Sequence, residues 1–299
     1  MSNRAESVLV GLVGEGVMPS LTPPMHEREA DVQGLRLLYR PIDLLELALP
    51  AAAVGDLLTA AQRMGFNGLN ITHPCKQLVL EHLDEISDDA RRLGAVNTVL
   101  IQDGRLIGHN TDFSGFGAAL SSGLPNATLD RVVQLGAGGV GSAVAYALLK
   151  AGVSTLDLVD MDPARAAERA AELGGLFPEA IVTPRSINEL SQIMPLADGL
   201  VHCTPIGMAA HPGLPLDMGL VESRHWVADI VYRPIETQLV REARAKGCDV
   251  LDGGRMAVGQ AADAFQLITG READRDRMRA HFLELIAAEE EALLAKAGH

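Results

Sequence analysis

Residues 131–152, RVVQLGAGGVGSAVAYALLKAG, leave a chain few ways to fold. A β-branched run stops at Gly136. Gly138 and Gly141 then complete a G-x-G-x-x-G pattern, and an Ala/Leu-rich helical stretch begins at once. Strand, glycine turn and helix in that order are what a dinucleotide-binding βαβ unit requires; without those flanks the pattern describes any glycine-rich turn between strand and helix. In such a unit Gly136 permits the tight turn, Gly138 lets the backbone approach a pyrophosphate, and Gly141 lets the helix pack close on the strand. The free N–H groups and positive dipole end of the helix then face the phosphates.

The rest of the chain continues the alternation. Short β-branched runs at 7–14, 35–43, 68–72, 95–102, 131–137, 155–160, 199–204, 226–231 and 248–253 are separated by helical stretches at 49–65, 76–94, 141–152, 163–175 and 234–247. This predicts βαβ units and a mostly parallel sheet. A length of 299 residues accommodates two domains, and the turn-rich SGLPNATLD (122–130) reads as a connection between them. The expected architecture is α/β. An N-terminal α/β substrate domain covers 1–115 and is completed by 254–299; a Rossmann-like dinucleotide-binding domain covers 116–253; the C-terminal helices pack back on the substrate domain. The last helix can pack internally or against a second copy, so a homodimer is one of two arrangements, and Glu289–Glu291 reads as a solvated face.

Composition narrows the partners. A hydrophobic fraction of 47% with 21% charged residues fits a soluble globular chain, and only 3% aromatics makes its core aliphatic. A net charge of −14 without any Lys/Arg cluster argues against nucleic acid. A small anionic ligand remains compatible if donors are placed locally. Cys75, Cys203 and Cys248 are far apart with no CxxC, which reads as reduced thiols. The histidines show no metal-ligand spacing, so no metal is expected. The apolar run in MSNRAESVLVGLVGEG is too short for a signal peptide, and no stretch reaches membrane-spanning length; the expected location is the cytoplasm, without a membrane partner.

Asp160 ends the strand after the glycine turn, 19 residues beyond Gly141. A carboxylate there accepts hydrogen bonds from ribose hydroxyls and repels a 2′-phosphate, which favours NAD and leaves NADP second. Asp162 directly precedes Pro163 and fits a helix cap, which frees Asp160 for the ribose. The Arg165 guanidinium, nearby, suits either a phosphate or the adenine face.

A different chemistry appears in NITHPCKQ (70–77). Lys76 stands at the start of a helix, where the macrodipole disfavours a cation. Such a site lowers an ammonium pKa and helps proton transfer, although a solvated first-turn lysine fits the segment equally well. Asp112, in GHNTDFSGF (108–116), reads as a helix cap or a catalytic carboxylate. Asn97, on a strand expected beside the first, is a structural bridge or a substrate ligand. Ser20 and Thr22 lie in SLTPPMHE, read as a proline-broken loop. Ligands of open α/β sheets bind beyond the strand ends, where Ser20, Thr22, Thr72, Lys76, Asn97 and Asp112 all fall. Together they form a polar ring suited to a polyhydroxylated carboxylic acid.

SLTPPMHE, GFNGLNITHPCKQ, LGAVNTV, GHNTDFSGF, GAGGVG, CTPIGM, DIVYRPIETQL and DGGRMAVGQAADAF, in this order, resemble the shikimate dehydrogenase family nearly end to end. GHNTDFSGFG, the acidic end of TLDLVD and the HPG after CTPIGM are most similar to its NAD-preferring quinate/shikimate members. The resemblance implies reversible oxidation of a ring hydroxyl of quinate or shikimate to 3-dehydroquinate or 3-dehydroshikimate, with Lys76 and Asp112 as the acid–base pair. It implies that Ser20 and Thr22 hold the substrate carboxylate, with Tyr232 near it, and that Thr72, Asn97 and Gln260 bind ring hydroxyls. On the cofactor side, Gly139 and Val140 meet the pyrophosphate, Asp160 and Arg165 frame the adenosine, Thr204, Pro205, Gly207 and Met208 line the groove, and Ile230 and Gly253 contact the nicotinamide. Two departures stand out: Thr22 replaces a second serine, and Asp160-Met161-Asp162 replaces the Asn-Arg-Thr of many NADP users. The rival readings are a biosynthetic NADP-dependent shikimate dehydrogenase, an enzyme acting on an aminated analogue, and a non-catalytic ligand-binding regulator.

Overall fold

Two six-stranded sheets organise the protein, which is described here by a computed structural model covering residues 7–297. The first six residues of the N-terminal stretch and the last two of the final helical segment lie outside the described residues. The chain runs β1 (Ser7–Gly14), α1 (Thr22–Val32), β2 (Arg36–Asp43), α2 (Val54–Met64), β3 (Gly68–Ile71), α3 (Cys75–Leu78), β4 (Glu85–Ile86), α4 (Asp88–Leu93), β5 (Thr98–Gln102), β6 (Arg105–His109) and α5 (Thr111–Gly123). It continues with β7 (Arg131–Leu135), α6 (Gly139–Lys150), β8 (Thr155–Val159), α7 (Pro163–Leu176), β9 (Ile181–Arg185), α8 (Leu190–Ile193), β10 (Gly199–His202), β11 (Trp226–Asp229), α9 (Gln238–Ala245), β12 (Asp249–Leu251), α10 (Gly253–Thr269) and α11 (Arg275–Ala297). One compact unit runs to Thr111 and takes in Gln260–Leu285; the other is Asp112–Gly259 with the chain from Ile286 onward.

In the second unit the strand order is β12-β11-β10-β7-β8-β9, with every neighbouring pair parallel. Counted from β7, this is the doubly wound order in which the winding direction reverses between the first and fourth strands. The first unit departs from the parallel expectation. Its order is β2-β1-β3-β5-β6-β4; β1 is parallel to β2 and β3, but β5 runs antiparallel to both β3 and β6. Asp103 and Gly104, both at positive φ, turn β5 back into β6, the local signature of a tight hairpin. Both cores are aliphatic: Val13, Leu69, Ile71 and Val99 in the first, Val133, Leu135, Leu200 and Val227 in the second.

Two local expectations are corrected. The helix expected over 76–94 is broken into α3, a 3₁₀ turn, β4 and α4. β4 is drawn to the free edge of β6, and Asp88 and Asp89 favour a fresh helix start through the dipole. SLTPPMHE is not a loop throughout, because α1 begins at Thr22. Pro23 and Pro24 fall in its first turn, where their missing N–H groups cost nothing. Further along α1, the buried Glu29 carboxylate accepts from Arg277 Nε at 2.8 Å and Nη2 at 2.6 Å, which fixes α11 to α1.

Candidate active site

Strand direction gathers the polar residues of the first unit. Parallel β1 and β3 bring their C-terminal ends to one edge, where Ser20, Thr72 and Lys76 follow. Antiparallel β5 brings its start to that same edge: Asn70 pairs with Thr98, and Ile71 N–H donates to the Asn97 carbonyl at 2.8 Å. β6 returns there, with Asn97 N–H donating to His109 O at 3.0 Å. Asn97 therefore adjoins β3 and β6 rather than the first strand, because β3 lies between β1 and β5. Lys76 is half-buried in α3, and its carbonyl accepts from Val96 N–H at 2.9 Å, one residue from Asn97.

A chain of buried side chains connects these elements. The Tyr39 hydroxyl donates to Asn70 Oδ1 at 2.5 Å, and Asn70 Nδ2 donates to Thr98 Oγ1 at 3.0 Å. Thr98 Oγ1 donates to Asn97 Oδ1 at 3.1 Å. Asn97 Oδ1 also accepts from Thr111 N–H at 2.7 Å, while Asn97 Nδ2 donates to Thr111 Oγ1 at 3.1 Å. Burial pushes the Tyr39 phenol well up, so it remains a donor. Asn97 thus fixes the start of α5, with one Nδ2 hydrogen uncommitted by these bonds. Asp112 follows Thr111 inside the first turn of that helix, so it is not its cap, and it is buried.

Asp43 ends β2 and organises the turn after β1. Its Oδ1 accepts from Gly16 N–H at 3.0 Å and its Oδ2 from Met18 N–H at 3.3 Å. Desolvation works to raise its pKa, but these backbone donors hold the carboxyl below its usual range. Ser20 Oγ accepts from Thr22 N–H at 3.2 Å, a use that engages a lone pair and not the hydroxyl hydrogen. Gln260 lies half-buried on α10.

In the second unit the glycine turn has the required shape. Gly136 adopts φ +99°, and a Cβ there would lie 2.6 Å from the Cys203 carbonyl oxygen. At Gly141 a Cβ would lie 2.3 Å from Gly136 O, so only glycine lets α6 pack this close. A Cβ at Gly138 or Gly139 would meet no atom within 4 Å, leaving the open side that a pyrophosphate needs; Val140 follows in the first turn of α6. The buried Gln134 amide donates to Gly136 O at 2.9 Å and Gly141 O at 2.8 Å, pinning both ends of the turn.

Asp160 Oδ2 accepts from Ala137 N–H at 2.7 Å; its Oδ1 accepts from Asp162 N–H at 2.9 Å and Arg165 Nη2 at 2.7 Å. Desolvation works to raise this carboxyl too, yet Arg165 and the two amides hold it below the usual range. Asp162 caps α7 by accepting from Ala164 and Arg165 N–H. Thr204, Pro205, Gly207 and Met208 follow β10, while Ile230 and the half-exposed Tyr232 follow β11. Gly253 opens α10, and a Cβ on it would lie 2.4 Å from Ile230 O. These groups collect at the C-terminal ends of β7, β8, β10, β11 and β12, on the side of the sheet where the strand order reverses, the usual ligand position of such a sheet.

The site residues fall into two sets, one per unit, with Asp112 and Tyr232 in the second. Tyr39, Asn70, Asp43 and Gln134 were not singled out by the sequence. Asn70 stands two residues before Thr72 in the same motif, and the period-two alternation of a strand was the signal that both face one way.

An all-parallel doubly wound unit with a glycine turn, joined to a mixed α/β unit bearing a polar edge, defines a two-unit nucleotide-binding α/β protein. Comparison identifies it further. Residues 12–99 match the family model described as shikimate dehydrogenase substrate binding domain, and 254–281 match that of the shikimate 5'-dehydrogenase C-terminal domain. A shikimate dehydrogenase (NADP(+)) of Arthrobacter sp. (strain FB24) is 81% identical over 97% of this chain and 99% of that protein. A quinate/shikimate dehydrogenase (NAD(+)) of Corynebacterium efficiens is 52% identical over 94% of this chain and 99% of its own. The structure of quinate dehydrogenase from Corynebacterium glutamicum in complex with NAD superposes with a TM-score of 0.89 at 51% identity, covering 93% of this chain and 99% of that one. The chain belongs to the shikimate dehydrogenase family.

Proposed function

We propose that this protein is a cytoplasmic NAD-dependent dehydrogenase that reversibly oxidises a ring hydroxyl of quinate or shikimate. The carrying observation is the shared edge of the first sheet, where hydroxyls, an amide and one ammonium converge by strand direction. Ser20 and Thr22 hold the substrate carboxylate, with Tyr232 near it; Thr72, Asn97 and Gln260 take ring hydroxyls. Lys76, transiently the neutral amine, accepts the proton of the reacting hydroxyl and becomes the ammonium, which Asp112 orients and whose proton it shares. The fixed start of α5 supports this pairing, because it leaves Asp112 little freedom to move. Bound NAD would supply the hydride acceptor. Gly138, Gly139 and Val140 would hold its pyrophosphate by backbone N–H groups, and Asp160 its ribose.

The NAD preference is supported by Asp160-Met161-Asp162: two carboxylates, with Arg165 already paired to Asp160, offer a 2′-phosphate no unshared cation at this point. The second reading, NADP use in biosynthesis, is favoured by the name of the 81% identical relative. Steady-state kinetics with quinate and shikimate, each with NAD and NADP, decide between them; a higher kcat/KM with NADP overturns the ribose argument. Lys76→Ala should lower kcat by about two to four powers of ten with NAD still bound. Unchanged turnover would remove Lys76 from the mechanism, and loss of all dehydrogenase activity in the parent protein would favour a ligand-binding regulator.

A further inference from the structure

Behind the cofactor side of the second unit lies a polar chain whose buried members, Asp229, Thr237 and His202, have no role assigned by the sequence motifs. Asp229, at the end of β11, is 2% exposed, and among the described residues no lysine or arginine pairs with it. Its Oδ1 accepts from Val231 N–H at 3.0 Å and its Oδ2 from the Thr237 hydroxyl at 2.7 Å. His202, fully buried at the end of β10, places Nδ1 2.9 Å from Asp229 Oδ1 and Nε2 2.5 Å from Thr204 Oγ1. Thr204 Oγ1 in turn accepts from Ile206 N–H at 3.3 Å.

The hydrogen inventory orients the chain. An ionised carboxylate only accepts, so Nδ1 must carry a hydrogen. In the neutral ring Nε2 is then the acceptor and takes the Thr204 hydroxyl hydrogen. With one lone pair on Ile206 N–H, Thr204 presents outward an acceptor and no donor. The threonine sits against the glycine turn: a Cβ at Gly136 would lie 3.1 Å from its Cγ2. Cys203 lies between His202 and Thr204 in sequence, and burial pushes its thiol well up, which keeps it out of any nucleophilic role.

We propose that His202, held in one tautomer by Asp229, is a positioning residue for the dinucleotide: it fixes the direction of the Thr204 hydroxyl and, with it, the start of the 204–208 segment that lines the cofactor groove. This rests on the reading of that groove as a nicotinamide-dinucleotide site. It adds that the groove wall at Thr204 is built to meet an N–H or O–H donor on the cofactor, and that a side chain without direct contact controls this.

Asparagine and glutamine separate the two ends of the histidine. Asn reproduces the Nδ1 position and keeps a donor to Asp229; Gln reaches the Nε2 position and keeps a partner for Thr204. In the full-length protein, His202→Asn should raise the dissociation constant for the preferred dinucleotide about tenfold, the loss of one hydrogen bond of ordinary strength. KM for the dinucleotide should rise in step, with a much smaller change in kcat. His202→Gln should bind within about twofold of the parent. In a His202→Asn, Thr204→Val double variant the two effects should not add. The reverse order, with Gln weakened and Asn like the parent, or equal loss of melting temperature in both without a shift in KM, would make the histidine a structural tie to Asp229 and overturn the proposal. A parent protein that binds neither NAD nor NADP would instead overturn the reading on which the proposal rests.

Discussion

The two units place functional groups at a sheet edge by different means. In the second, the site is built mostly from backbone: parallel strands end together, a glycine turn exposes N–H groups, and Gln134 and Asp160 pin the turn from behind. In the first, an antiparallel strand brings its start to an edge where its neighbours end, and side chains hold the result together from Tyr39 through Asn70, Thr98 and Asn97 to Thr111. The backbone-built turn is closed to added bulk at Gly136 and Gly141. The side-chain-built edge is exposed instead to the loss of a hydrogen-bonding atom.

That contrast is open to direct attack. The largest effect is expected at Gly141→Ala, whose new Cβ would meet Gly136 O at 2.3 Å. Overpacking of this kind costs about 3 kcal/mol, which expressed in binding is roughly a hundredfold in affinity for the dinucleotide. Titration calorimetry reads it, and affinity close to the parent value would show that the turn yields. Next comes Thr98→Val, which preserves shape but strands Asn70 and Asn97. About 1–3 kcal/mol of stability should be lost in urea unfolding, the cost of unsatisfied buried polar groups. A loss near zero would mean that the network is not what holds the first unit's edge.

The third test concerns acid. His26 is fully buried, with its ring edge-on to Tyr39 and Phe265 at 5.0 and 5.8 Å, and burial lowers its pKa to about 3. The unfolded chain binds a proton near pH 6.5 that the folded one refuses, so stability falls as pH drops from about 6.5 towards 3, by up to about 1.4 kcal/mol per pH unit. His26→Leu should flatten that slope in melting curves between pH 7 and 5. An unaltered slope would place the acid sensitivity elsewhere.

The same contrast explains what could be read in advance. The second unit was legible because each of its devices has a local signature: β-branched run, glycine spacing, Asp160 at the strand end, Asp162 before Pro163. The edge strand β9 escaped because Pro184 interrupts it and none of its residues is buried, so it carries no apolar alternation. In the first unit the residues at the edge were identified, but the antiparallel β5 and its hairpin were not, since direction is set by long-range pairing. Asn97 was accordingly placed beside the wrong strand. The 76–94 segment looked like one helix because β4 is only two residues long and forms through its partner β6.

Asp160 and Asp162 divide two duties that one residue often combines. Asp162 caps α7, Asp160 ties the glycine turn to the start of that helix, and Met161 between them is 86% exposed. Evolution can therefore rewrite the middle of that triplet without endangering the scaffold. A change of side chain at that one position would alter the surface beside the two carboxylates and leave their hydrogen bonds in place.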